Sequence, residues 1–180
     1  MNQKPRSDVL LYRIVLSGLF LALALIFPFL TGQIKTFGNM LLPMHIPIFL
    51  CGFICGAPCG AAVGFAAPLL RSLMFGMPAL FPTAVAMAIE LCVYGAVSGA
   101  MYRALPKRLP YLYLSLFSAM LVGRAVWGLA SILLYRLAGS EFSWSLFLGG
   151  ALIHAVPGIV IQFIIVPLLV RLANKLKIIR

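Results

Sequence analysis

Acidic residues are nearly missing from this chain. Among 180 residues there are only three, Asp8, Glu90 and Glu141, against fourteen lysines and arginines. Only Glu90 lies in an apolar stretch, and one carboxylate cannot build a two-carboxylate hydrolase or a conventional metal site. Charge of either sign is scarce. It occupies 9% of positions, where a soluble globular domain carries about a quarter. With 63% hydrophobic residues and a mean hydropathy of +1.11, the chain cannot clothe a soluble surface. Other absences narrow the function. There is no G-x-x-x-x-G-K-[ST] run, so no P-loop hydrolyses ATP here, and neither H-E-x-x-H nor G-x-S-x-G occurs. The internal inverted repeat of large secondary transporters is not evident. An intramembrane enzyme is therefore disfavoured, and no cofactor is expected.

What remains is an integral membrane protein of one domain, residues 1–180. Hydrophobicity runs through the whole chain rather than sitting in a leader, so the first apolar run reads as a retained helix. The net charge of +11 reads as loop charge on the cytoplasmic side rather than as a nucleic-acid surface. The four cysteines, Cys51, Cys55, Cys59 and Cys92, form no Cys-x-x-Cys pair. They read as small packing residues, with neither metal nor disulfides expected.

Spans of about 20 apolar residues, broken at proline and glycine clusters such as "CGAPCG" and "FGMPALFP", predict an all-α bundle of six transmembrane helices. Their expected ranges are about 12–32, 43–57, 59–75, 82–102, 111–137 and 145–172. Six spans place both termini on one side. Lys4, Arg6 and Arg13, then Arg103, Lys107 and Arg108, then Arg171, Lys175, Lys177 and Arg180 all fall on that side, which is the cytoplasm. The opposite loops hold Lys35, Arg136 and Glu141. Tyr111, Tyr135 and Trp144 fall near span ends, where amphipathic rings prefer to sit.

At 1.5 Å per residue, Glu90 and His154 lie roughly 13 Å from the outer ends of helices 4 and 6, and Arg124 lies near the middle of helix 5. Arg71 is expected near the outer end of helix 3. His45 is expected at the outer start of helix 2, with Asn39 in the loop before it. An ionisable side chain at such depth costs at least about 2.5–3.5 kcal/mol and marks a site by default. The sharp expectation is an outward-opening polar pocket lined by Arg71, Glu90, Arg124 and His154, with Asn39 and His45 nearby. The plainer one is a Glu90–Arg124 ion pair that only clamps helices. His154 equally suits a bond to a backbone carbonyl, His45 suits capping or loop packing, and Gln162 suits a bridge between helices. Two arginines against one glutamate make the pocket positive, which mildly favours an anionic ligand. Phe75, Phe81, Tyr94 and Trp127 are the aromatic candidates. Gly52, Gly56, Gly60 and Gly64 recur every fourth residue, as do Gly95 and Gly99. Such faces let backbones approach closely. Helix 1 carries Gly18-x-x-x-Ala22 with no polar group to serve the pocket, so that face is free to meet another protein.

The stretches "LTGQIKTFGNMLLPMHIPIFLCGFICG", "GFAAPLLRSLMFGMPALFPTAVAMAIELCVYGAVSGAMYR" and "GGALIHAVPGIVIQFIIVPLLV" resemble the S components of energy-coupling factor (ECF) vitamin transporters. The resemblance covers nearly the whole chain and is specific for the family, not for the substrate. It implies a binding subunit of an ATP-dependent importer in a prokaryotic cell membrane. Such a subunit captures a vitamin or related micronutrient, pantothenate-like if anionic, from outside. Its implied partners are a membrane coupling protein and two cytoplasmic ATPases. In the family, small residues at A-x-x-x-A spacing on helix 1 contact the coupling protein. The matching positions are Gly18 and Ala22, or the overlapping Ser17 and Ala24, and the glycine departs from the family's alanine. The loop Gly32–Leu42, with Lys35 and Asn39, corresponds to the one that covers ligand in relatives. The alternative is a solitary proton-coupled secondary transporter using Glu90.

Overall fold

A computed structural model describes residues 6–31, 41–139 and 155–176. Asn39, His154, Lys35, Glu141 and Trp144, and the first part of the expected sixth helix, lie outside these residues. The described residues are helical, with no strand among them. In chain order the α-helices are α1 Arg6–Ile26, α2 His45–Cys55, α3 Ala57–Phe75, α4 Val85–Ala104, α5 Leu109–Leu137 and α6 Val156–Lys175. A 3-10 turn, Phe27–Thr31, follows α1, and a π-helical turn, Leu80–Ala84, precedes α4.

The boundaries follow from local chemistry. Pro28 lacks an N–H, so the chain leaves α-geometry just after Ile26. Pro58, Pro110 and Pro157 occupy the first turns of α3, α5 and α6, where the missing N–H has no intrahelical acceptor to lose. The link between α2 and α3 is the single residue Gly56, at φ +96°. Gly76, at φ +70°, ends α3 and donates its N–H to the Ser72 carbonyl at 2.9 Å. Only glycine takes these angles without strain.

Five segments, Ser7–Phe29, Ala57–Phe75, Leu80–Ala104, Leu109–Leu137 and Val156–Lys175, are long and apolar enough to cross a membrane. This is the pattern of a multi-pass membrane protein. The exception is α2, whose 11 residues extend only about 16 Å.

Consecutive helices run antiparallel. Gly64 faces Leu91 and Gly60 faces Gly95 across α3 and α4, Gly99 meets Ala57, and Gly52 of α2 meets Gly60 and Gly95. A Cβ at Gly60, Gly64, Gly95 or Gly99 would fall under 3.0 Å from backbone atoms of the facing segment. The four-residue glycine spacing is therefore a three-helix seam, and no side chain fits in it. Tyr102 closes the end of the bundle where α4 stops. Its hydroxyl accepts from Asn174 Nδ2 of α6 at 2.6 Å, and Lys107 Nζ donates to its carbonyl. Helix α1 sits against this core by Phe20 and Ala24 and leaves Leu11, Val15, Leu19 and Ile26 exposed.

Candidate functional site

Three helices meet at one polar cluster. Glu90 and Tyr94 stand one turn apart on α4, so they share a face. Tyr94 Oη donates to Glu90 Oε1 at 2.7 Å. From α5, Arg124 Nη1 reaches the same oxygen at 3.0 Å. Glu90 is 2% exposed and the Arg124 side chain 16%. The arginine also lies 5.7 Å from the Trp127 ring, at the edge of cation–π range. Gly123 makes room for the cluster, because a Cβ there would strike the Tyr94 ring.

From α2, Phe49 stacks on Tyr94 with centroids 4.9 Å apart and planes 20° apart, and His45 tilts against the same ring at 5.5 Å. His45 is the first residue of α2, as the sequence predicts. The register that sets Gly52 against Gly95 puts its backbone level with Ala88, and its ring reaches the Tyr94 ring. Its imidazole is 2% exposed, and among the described residues neither ring nitrogen has a hydrogen-bond partner. On α6, Gln162 is buried, and among the described residues its Nε2 has no partner either.

Arg71 does not join this cluster. The seam register that pairs Gly64 with Leu91 and Gly60 with Gly95 puts Arg71 level with Ala84, six residues or about 9 Å from Glu90 along the helix axis. Its Nη1 donates to the Leu25 carbonyl at 2.8 Å, at the end of α1, and its guanidinium carbon lies 5.0 and 5.5 Å from the Phe29 and Phe75 rings. The two rings meet edge-on at 5.0 Å. Arginine suits this box because its planar cation satisfies a last-turn carbonyl and lies against aromatic faces together. The expectation of two arginines facing one glutamate is corrected accordingly: one arginine faces Glu90, and the other fastens α1 to α3.

The small-residue face of α1 also resolves. Gly18 and Ala22 are exposed, with nothing within 4 Å of a Cβ at Gly18. Ala24 is fully buried, and Ser17 donates to the Arg13 carbonyl at 2.6 Å while accepting a weak contact from Cys51 Sγ. Among the described residues no group of three or more His, Cys, Asp or Glu is placed to hold a metal, and the cysteines are free thiols.

Residues 12–170 match the family model described as ECF transporter, substrate-specific component. The chain belongs to this family. No curated protein and no solved structure matches it. As an ECF S component the chain is a substrate-binding transporter subunit and not an enzyme. The buried cluster on α2, α4 and α5 is then the polar group within the bundle that most needs a functional account. Sequence reasoning named Glu90, Arg124 and His45. It listed Tyr94 only as a stacking ring, although its i+4 spacing from Glu90 signals a shared face. The partners of Arg71, a backbone carbonyl and two ring faces, leave no such signal.

Proposed function

We propose that this S component captures a vitamin-like small molecule at the α2–α4–α5 cluster and passes it inward through a shared ATP-hydrolysing module. The observation that carries the proposal is the buried Glu90–Arg124 pair, braced by Tyr94 and bordered by the unpartnered His45. Ionisable groups at membrane depth are expensive to keep and face a functional site or one another. Here Glu90 and Tyr94 fix the guanidinium plane of Arg124, while Arg124 and His45 meet the ligand. Asn39 and His154, named from the sequence, are the further ligand contacts of this reading.

The exposed Gly18 and Ala22 face is the docking surface for a membrane coupling protein that carries two cytoplasmic ATPases. The chain lies in a prokaryotic cell membrane with six spans and both termini in the cytoplasm. The orientation is supported by Arg103 in the last turn of α4, Lys107 and Arg108 between α4 and α5, and Arg171 and Lys175 in the last turns of α6, which share one end of the bundle.

The test is reconstitution. Lipid vesicles with the chain alone should bind the small molecule that co-purifies with it but not accumulate it. Adding the coupling protein, the ATPases and ATP should start accumulation. Uptake by the chain alone under a proton gradient would instead establish a solitary transporter using Glu90.

A further inference from the structure

We propose that Ser131 is a further ligand contact of this site, and that the molecule bound is elongated, with polar groups at two ends roughly 10 Å apart, one held by Arg124 and one by Ser131. The inference rests on the binding role assigned above and adds a residue and a shape to it. Ser131 follows Arg124 by seven residues on α5, so both project from one face of the helix. Chain direction carries it away from Lys107, toward the outer end in the proposed orientation. Gly123 beside Tyr94 and Arg124 beside Glu90, across antiparallel helices, place Ser131 level with the start of α4.

The first ground is an orphaned hydroxyl. Ser131 is fully buried, and among the described residues its Oγ has no hydrogen-bond partner. Other serines of this chain find a partner on their own helix. Ser17, Ser98 and Ser115 donate to the carbonyls of Arg13, Gly95 and Tyr111, three or four residues back. Ser131 does not make that bond. A hydroxyl kept from water without a partner costs free energy, and a polar group that reaches it recovers that cost.

The second ground is what lies between Ser131 and the ion pair. On α4, the face that carries Tyr94 and Glu90 continues at four-residue spacing to Ala86, 1% exposed. On α5, Gly128 stands between Arg124 and Ser131 and is buried. Alanine and glycine bring the least side-chain bulk to the two faces next to the pair. From α2, His45 enters level with Ala88, also without a hydrogen bond among the described residues. Two unpartnered polar side chains from different helices thus stand within about one turn of each other in depth, on the same side of Glu90 and Arg124. A molecule seated on Arg124 extends past Ala86 and Gly128, and its far end meets Ser131. A hydroxyl both donates and accepts, so that end carries a hydrogen-bonding group of either kind.

The experiment purifies the full chain in nanodiscs, releases bound small molecules by denaturation, and identifies them by mass spectrometry. The compound released from wild type is then titrated into washed, ligand-free wild type, Ser131→Ala, Ser115→Ala and Arg124→Lys, and the thermal stability of each ligand-free protein is measured. The compound should carry hydrogen-bonding groups at two ends about 10 Å apart. Its Kd should rise about fivefold in Ser131→Ala, the loss of one buried hydrogen bond. Ligand-free stability of that variant should be unchanged or raised, because an unpaired hydroxyl is removed. Ser115→Ala, which removes a hydroxyl already bonded within its helix, should bind as wild type does. An unchanged Kd in Ser131→Ala, an equal loss in Ser115→Ala, a fall in ligand-free stability of Ser131→Ala, or a compound too short to span both groups overturns the proposal. Weakened binding in Arg124→Lys then leaves the binding role standing. A wild-type protein that releases no small molecule overturns the binding role and this inference together.

Discussion

Arg124 and Arg71 are both arginines inside an apolar bundle, and they are satisfied in opposite ways. Arg124 meets a full negative charge, Glu90, which a tyrosine hydroxyl also holds. Arg71 meets no carboxylate among the described residues. It has a carbonyl oxygen at the end of α1 and two phenyl faces. Around Arg124 the groups come from three helices, and among the described residues His45 is left without a hydrogen bond. Around Arg71 a carbonyl and two rings join the end of α1 to the end of α3. On the proposed reading the first region holds the ligand and the second is a fastening.

The largest expected effect breaks the first region. Glu90→Ala should destabilise the protein by about 3–5 kcal/mol, because it strands the Arg124 charge in the interior. Replacing both partners, Glu90→Leu with Arg124→Met, should recover most of that loss, since no charge is left unpaired. Unfolding in detergent, followed by circular dichroism, measures both. Next comes the second region. Arg71→Ala should cost about 3 kcal/mol, from one charged hydrogen bond and two ring contacts. It should leave ligand occupancy near the wild-type level, and a collapse of occupancy in folded protein would merge the two regions into one site. Tyr94→Phe should cost about 1.5 kcal/mol by removing the bond to Glu90, and it should weaken ligand retention because the ion pair loses its brace. Smallest in stability is Gly18→Leu, expected within about 0.5 kcal/mol of wild type, since a Cβ there meets nothing. Its effect should appear as lost co-purification with the coupling protein while ligand stays bound.

The sequence made the helices readable because their ends are written in proline, glycine and charge. The seam was readable too, since glycine at every fourth position has few other uses in a membrane helix. Gly56 was the exception, a member of the spacing that turned out to be the turn itself. Glu90 with Arg124 was legible as a pair because each is a rare charge at matching depth. Arg71 was legible in its position near the end of helix 3 but not in its partners, for a physical reason. Depth along a helix says how far in a side chain lies but not which face it takes, and carbonyl or π-face partners carry no residue signature. His45 was legible as the start of α2, but its ring contact with Tyr94 was not, because spacing does not say which neighbouring ring an imidazole at a helix start meets.

The most direct test of the two-region account is the amount of small molecule carried per folded chain by Arg124→Lys and by Arg71→Lys, measured side by side. The account predicts a fall of about tenfold or more for Arg124→Lys, where the planar fork is lost, and no change for Arg71→Lys. Loss in Arg71→Lys with full occupancy in Arg124→Lys would contradict it.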